Sequence, residues 1–298
     1  MFHQAMGAYG LSVLLVNRSN VQKVAEEVEQ GWQKPVVYLD LSSRPGCPFE
    51  KLLFAAAAKG AHTIRRPEHD RWVMKAQSQR ELERAGLPVP PTVLIKADEP
   101  DRELTAEERA TLGDRVVIKP SFGEACKGVV VGAEPTRQAI AQARDFNRSY
   151  DWLVQKMVKW TTFGPRQAYL RAYHVCGNFT LLWWCKDRGN DGYDLLTWDD
   201  LQKHDLMPAL RIVQKLADLT GMDYFSSEIA ITDSAEEKER FILIDYVNDQ
   251  CDMDPHGHPQ FSPPEQFCRW VCERLAEFVW RKKAGLGDSS HRGLYLPS

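Results

Sequence analysis

RVVIKPSFGEACKGVVVG, residues 115–132, decides how the rest of the chain is read. Residues 115–118 form a short β-branched run that ends on Lys119 and Pro120. A loop of small residues follows, with Gly123, Ala125, Cys126 and Gly128, and a second short strand over 129–131 closes the unit. Glycines let backbone N–H groups come close to an anion. The lysine at the strand end adds a point charge. The pattern predicts a hairpin folded over phosphates, although a plain β-hairpin has the same outline. It is not a Walker loop, because no GK[ST] opens a helix.

The bulk numbers set the outer bounds. A chain of 298 residues buries a sizeable core and ordinarily divides into two or three subdomains. Its 27% charged and 43% hydrophobic residues are those of an ordinary globular protein. The net charge of -3 gives no pull toward nucleic acid or an anionic membrane, so neither is an expected partner. No apolar run is long enough to cross a bilayer. The opening MFHQAMGAYG has neither a charged n-region nor an apolar core, so no signal peptide is read. Seven cysteines are scattered without a framework, which predicts reduced thiols and a cytoplasmic location.

Upstream of the hairpin the apolar runs 11–16 (LSVLLV) and 35–41 (PVVYLDL) read as strands. Helical spacing lies between them over 21–33, with Asn20 as its cap. A helix over 49–59 and a short strand over 62–64 complete a small α/β unit, residues 1–70. Residues 17–19 sit at a strand-to-helix edge, where open sheets bind ligands and where plain caps also occur. An amphipathic helix over 72–85 carries Lys75 and stops at Gly86. Pro88, Pro90 and Pro91 stiffen the entry to a strand over 92–95. A lysine in that place is ordinarily a solvated face residue.

The order of these pieces resembles the ATP-grasp superfamily, to which D-alanine–D-alanine ligase, glutathione synthetase and the ligases that glutamylate ribosomal proteins belong. The resemblance rests on a lysine-bearing helix, then AGLPVPPT, then a strand ending VIKP with a glycine loop. Lys75 stands eleven positions before Gly86, as the lysine stands before GLPV in the D-alanine ligase. The resemblance implies an α+β / α/β fold with three subdomains and ATP between two α+β units. The expected boundaries are 1–70 for the N-terminal unit, 71–158 for the lid, 159–285 for the metal-binding subdomain and 286–298 for a flexible tail. It implies that Lys75 and Lys119 reach ATP and that 121–128, with Ser121, Gly123 and Gly128, covers the phosphates.

Residues 136–147 read as a helix beginning near Thr136, and 151–158 (DWLVQKMV) as a strand running into a linker. By the resemblance, Gln155, Lys156, Met157 and Val158 form the adenine hinge. The family usually starts its hinge with an acid, and this chain has Gln155. Two strands, 167–176 and 178–186, flank a turn at Gly177. LRAYHVCGN resembles an R-x-x-x-V-x-G strand of the glutamate-adding ligases, which makes Arg171 a candidate for the transferring phosphoryl group. Without the family, Arg171 reads as a surface pair partner. Residues 187–200 read as a substrate-covering or plain surface loop.

A strongly amphipathic helix over 206–220 precedes two adjacent strands, YFSSEIAIT (224–232) and FILIDYVNDQCDM (241–253). Glu228 sits among apolar residues, Asp245 near the end of an apolar run and Asn248 three positions on. Such oxygen donors suit Mg²⁺ shared with phosphates. The resemblance makes Glu228, Asp245 and Asn248 the metal ligands, for two ions. The chain departs by having D-x-x-N where the family has E-x-N, and Ser226 where the D-alanine ligases have arginine. Asp249, Cys251, Asp252, Asp254, His256 and His258 follow in a loop that reads as a transition-metal cluster, an acceptor-pocket lining or a polar connection. A closing amphipathic helix spans 263–283.

The activity implied is that of an ATP- and Mg-dependent carboxylate–amine ligase. Its partners would be a small acid and an amine, an amino acid or a peptide. Many relatives are dimers, which leaves a homodimer open. A kinase of the same fold and a non-catalytic nucleotide-binding module are the alternatives.

Overall fold

Where the apolar periodicity changes from two to about three and a half along this chain, strand gives way to helix. The computed structural model describes every residue except 42–45, 124–125, 164–165, 185–191, 236, 252, 258–261, 288–292 and 297–298, and the backbone alone at 166–167. In chain order the N-terminal elements are α1 (Phe2–Ala8), α2 (Val21–Glu29), β1 (Val37–Leu39), α3 (Glu50–Ala58) and β2 (His62–Ile64). Then come α4 (Asp70–Val73), α5 (Lys75–Arg84), β3 (Thr92–Ile95), α6 (Ala106–Leu112), β4 (Val116–Pro120), β5 (Val130–Ala133), α7 (Arg137–Arg144) and β6 (Trp152–Lys156). The short β7 (Thr162–Phe163) and β8 (Arg166–Gln167) lead to β9 (Tyr169–Val175), β10 (Asn178–Trp184) and β11 (Tyr193–Leu195). The chain ends with α8 (Trp198–Lys203), α9 (Met207–Thr220), β12 (Tyr224–Ile231), β13 (Phe241–Asn248) and α10 (Glu265–Lys283). Among the described residues no helix is long and apolar enough to cross a membrane.

The chain divides into two units. One holds Met1–His69, Arg171–Ser226 and Asn248–Ser298, the other Asp70–Leu170 and Ser227–Val247. A larger sheet has the order β11-β10-β9-β12-β13, and the division falls within its last three strands.

In the first unit β1 and β2 pair in parallel, Val37 opposite His62 and Leu39 opposite Ile64. Val24, Ala25, Val28, Leu52 and Ala55 pack α2 on α3. A larger core joins Tyr173, Val175 and Tyr224 to Phe267, Cys268, Val271 and Leu275 of α10. Residues 11–16 are not the expected strand. They have no regular structure, and Leu14 and Leu15 are 54% and 64% exposed. Leu11, Val13 and Val16 pack inward while β1 has only β2 as a ladder partner among the described residues. An apolar run without a ladder to join has no reason to adopt strand geometry. Asn20 does not cap α2. Its carboxamide bridges the preceding loop, accepting from the Asn17 N–H at 2.8 Å and donating to the Leu15 carbonyl at 3.0 Å.

The polar stretch 187–200 is partly structured, with β11 paired to β10 and α8 opened by a capping box of Thr197 and Asp200. Its residues 187–191 lie outside the described residues. The tail expected to be flexible carries ordered contacts. The Phe179 N–H donates to the Gly293 carbonyl at 2.8 Å, and Tyr295 stacks on Trp270 at 4.9 Å.

The second unit contains an antiparallel sheet in the order β3-β6-β4-β5. The central hairpin forms as the sequence dictates, with Val117 opposite Val131 and Ile118 opposite Val130. Ile95, Leu112, Val116, Ile118, Trp152 and Val154 fill the space between this sheet and α6 and α7. Both helices open on a threonine cap. Thr105 accepts from Glu108 N–H in a capping box, and Thr136 accepts from Ala139 N–H. The helix expected over 72–85 is broken at Met74, whose ψ of 99° is extended, so Lys75 becomes the first residue of α5.

Candidate functional site

The break at Met74 matters because of what it does with Lys75. At the start of α5 its backbone N–H is free of the helix and donates to the Ser121 carbonyl at 2.9 Å. Its ammonium donates to the Gly123 carbonyl at 3.2 Å and lies 3.6 Å from Asp245 Oδ1. Helix start, loop and metal-candidate strand are thereby joined through one side chain. Ser121 is buried, and its N–H donates to the Asp151 carbonyl at 2.8 Å, which seats the root of the loop on β6. Gly123 and Gly128 have φ of 155° and 74°, a region that costs a side chain energy. At Gly128 an added Cβ would lie 2.8 Å from Phe146 Cγ, so the turn needs glycine on both counts. Residues 124–125 of this loop lie outside the described residues.

Lys119 is the penultimate residue of β4 and is only 5% exposed. The ammonium donates to the Ile244 carbonyl at 3.0 Å and sits 5.1 Å above the Tyr246 ring. Burial, with Lys75 nearby, pushes its pKa down to about 8 against the opposing pull of Asp245, Glu228 and Cys126. Two lysines and two carboxylates therefore share one patch of this unit. Glu228 is half-buried in a β12 otherwise buried along its length.

The hinge candidates sit between two partners. β6 is hydrogen-bonded to β3 on one side and β4 on the other, with Gln155 opposite both Thr92 and Val117. The N–H groups of Lys156 and Met157 are taken by the carbonyls of Pro91 at 2.9 Å and Arg115 at 3.1 Å. The Lys156 ammonium pairs with Glu237 at 3.1 Å. Val158 packs with Ala230 and Ile242. The Gln155 side chain is turned into the protein, donating to Tyr246 Oη at 2.8 Å and Thr92 Oγ1 at 3.0 Å.

Two sequence candidates lie in the other unit. Arg171 on β9 is buried, donates to Ser226 Oγ at 3.1 Å and lies 6.0 Å from the Trp184 ring. Ser226 also accepts from the Cys251 thiol at 3.2 Å, so the residue that stands where the D-alanine ligases have arginine is a hydrogen-bonding post between Arg171 and Cys251. Asn248 ends β13, where its Oδ1 accepts from the Gln250 N–H at 3.1 Å. Strand side chains alternate faces, so a three-residue step from Asp245 turns Asn248 to the opposite side in a regular strand.

Sequence reading missed two groups. Arg65, with a left-handed φ of 73°, is buried between Asp249 at 2.9 Å and Asp40 at 3.6 Å. Asp249 is thus a partner of Arg65. Among the described residues no three His, Cys, Asp or Glu side chains are grouped to hold a metal, and Asp252 and His258 lie outside them. The second group is Tyr246 with Gln79, beside Gln155. A tyrosine following Asp245 in an apolar strand was the available signal.

No family model matches the chain, and no curated protein matches it in sequence. Solved structures do. A RimK-domain ATP-grasp protein from Sphaerobacter thermophilus has a TM-score of 0.61 at 16% identity, covering 93% of each chain. The ATP-grasp ligase PsnB, complexed with precursor peptide PsnA2 and AMPPNP, has a TM-score of 0.60 at 12% identity over 95% of this chain and 93% of its own. PsnB with a minimal precursor, Mg and ADP has a TM-score of 0.51 at 15% identity over 79% and 67%. The likeness covers 93% and 95% of the chain in the first two comparisons: this chain has the ATP-grasp fold.

Proposed function

We propose that this protein is an ATP- and Mg²⁺-dependent ligase that activates a carboxylate and joins it to an amine, releasing ADP and phosphate. The observation that carries the reading is the patch of Lys75, Lys119, Asp245 and Glu228 beside the glycine loop. A buried lysine and a half-buried one, set beside carboxylates, are costly to a fold with no anion to bind. The same groups suit a triphosphate and its counter-ion, with the lysines facing phosphate oxygens and the carboxylates supplying hard oxygen donors. Asp245 and Glu228 would hold Mg²⁺, which would offset the negative charge of the phosphates. The family's second-strand asparagine corresponds to Asn248, and the resemblance alone assigns it to the metal.

Lys75 and Lys119 would orient the γ-phosphate and the 121–128 loop would cover it. The backbone at 155–158 would read the purine edge. The N–H groups of Lys156 and Met157 are already engaged by the carbonyls of Pro91 and Arg115. A substrate carboxylate would attack the γ-phosphorus, giving an acyl-phosphate and ADP. The amine would then displace phosphate, so the protein needs no nucleophile of its own. Arg171 is assigned to the phosphoryl group by the resemblance. The peptide carried by PsnB supports an acid or amine of amino-acid or peptide class. On this reading 71–158 is the lid, 159–285 supplies the metal strands, and 1–70 with the 187–200 and 249–262 loops selects the acceptor.

The test is release of ADP and phosphate from ATP in the presence of pooled amino acids, small acids and short peptides. Equal amounts of both products, dependent on one acid–amine pair, support the ligase. ADP without phosphate points to a kinase, and tight ATP binding without turnover on any pool leaves the substrate open and favours a binding module.

A further inference from the structure

A buried chain of hydrogen bonds in the second unit joins the elements that carry the candidate nucleotide groups. Gln155 of the hinge strand β6 donates from its amide to Tyr246 Oη at 2.8 Å and to Thr92 Oγ1 at 3.0 Å. The Tyr246 hydroxyl donates onward to Gln79 Oε1. Gln79 donates to the Pro90 carbonyl at 3.1 Å and to Glu83 Oε1 at 2.6 Å. Tyr246 is 1% exposed, Gln155 3% and Gln79 4%. The direction of donation is uniform from Gln155 to Gln79, because the Pro90 carbonyl can only accept and so turns the Gln79 amide nitrogen toward itself and its oxygen toward Tyr246.

Position along the chain gives the network its consequence. Tyr246 adjoins Asp245 on β13, and Gln79 lies one turn beyond Lys75 on α5. Lys119 sits over the Tyr246 ring. A single hydroxyl thus ties the purine hinge to the strand of the metal carboxylate and to the helix of the phosphate lysine. The network also accounts for Gln155 in place of the family's acid. Its amide must donate to two hydroxyl oxygens, which a carboxylate cannot do, and a buried unpaired charge would be costly there.

We propose that Tyr246 is a positioning residue that fixes the purine hinge relative to Lys75 and Asp245, so that base and phosphates are bound as one rigid ligand. The inference rests on the reading of this patch as the Mg-ATP site. Rigid spacing makes binding of the purine and the triphosphate mutually reinforcing, as in any bivalent contact. A network that served stability alone would lower affinity for every ligand together, or for none.

The experiment compares MgATP with Mg-tripolyphosphate, which has the phosphates and no purine, by calorimetry on the full chain. Wild type is expected to bind MgATP more tightly. Tyr246→Phe removes the hydroxyl and keeps the ring under Lys119. It is expected to lose about tenfold of ATP's advantage, the scale of one hydrogen bond, while tripolyphosphate affinity holds. If that variant does not fold, Thr92→Val removes a partner at the half-buried edge of the network and is expected to cut the same ratio several-fold. An unchanged ratio in the folded variant, or equal binding of the two ligands by wild type, overturns the inference. Failure of wild type to bind either ligand instead overturns the reading it rests on.

Discussion

Lys119→Met is expected to make the protein more stable and to disable it at once. The lysine is buried, and burial lowers its pKa from 10.5 to about 8. Below pH 8 it is charged both folded and unfolded, so the folded state bears the full cost of the buried charge. A shift from 10.5 to about 8 corresponds to roughly 3 kcal/mol. Methionine matches the length of the stem and carries no charge. It forfeits the hydrogen bond to the Ile244 carbonyl, worth about 1 kcal/mol. The net expected gain at pH 7 is thus about 2 kcal/mol. The sign with pH follows from proton binding. Between about 8 and 10.5 the unfolded lysine holds a proton that the folded one has lost, so wild-type stability rises with pH there, relative to the variant. Urea unfolding of both proteins from pH 7 to 10, without Mg²⁺ or nucleotide, reads this difference, since titrating groups that do not interact with Lys119 cancel. The midpoint should be higher for the variant at pH 7 and the gap should close toward pH 10. Parallel curves across that range, or a variant less stable at pH 7, would refute the claim that Lys119 is held at a cost.

Three further outcomes follow from separate parts of the molecule. Asp245→Asn should raise the Mg²⁺ concentration needed for half-maximal nucleotide binding by at least about tenfold, read from a Mg²⁺ titration; an unshifted titration would remove Asp245 from the metal. Gly128→Ala should cost roughly 1–2 kcal/mol, because an L-residue is forced to a left-handed φ and its Cβ meets Phe146. Thermal unfolding checks this, and an unchanged midpoint would contradict the turn geometry. Arg65→Met should cost roughly 3–5 kcal/mol by leaving Asp40 and Asp249 together in the interior. A urea midpoint within error of wild type would show that the cluster is not a buried ion group.

What the sequence revealed, and what it hid, divides along the range of the interactions. The hairpin of 115–132, the Thr136 cap and strands β12 and β13 were legible because each is decided within a few residues. The break at Met74 was not, since helical periodicity runs straight through it. The hydrogen bond from Lys75 N–H to Ser121, 46 positions away, accompanies it. LSVLLV reads as a strand in isolation, yet strands exist by pairing, and the partner is not written in the run. The helix α8 was missed although T-x-x-D at 197–200 is a capping-box signature. Lys75, Lys119, Asp245 and Glu228 were singled out by their resemblance and share one patch. The Tyr246 network was invisible because its members lie as far as 167 positions apart. Asn248 fitted the resemblance by spacing, while strand alternation separates it from Asp245.

Whether the patch around Lys119 and Asp245 is a Mg-nucleotide site is decided by calorimetric titration of ATP into wild type, Lys119→Met and Asp245→Asn, each with and without Mg²⁺. A Mg-nucleotide site gives saturable, Mg²⁺-strengthened binding to wild type, with binding lost in Lys119→Met and the Mg²⁺ effect lost in Asp245→Asn. Equal ATP binding by all three folded proteins, or none by wild type at any Mg²⁺ concentration, would contradict it.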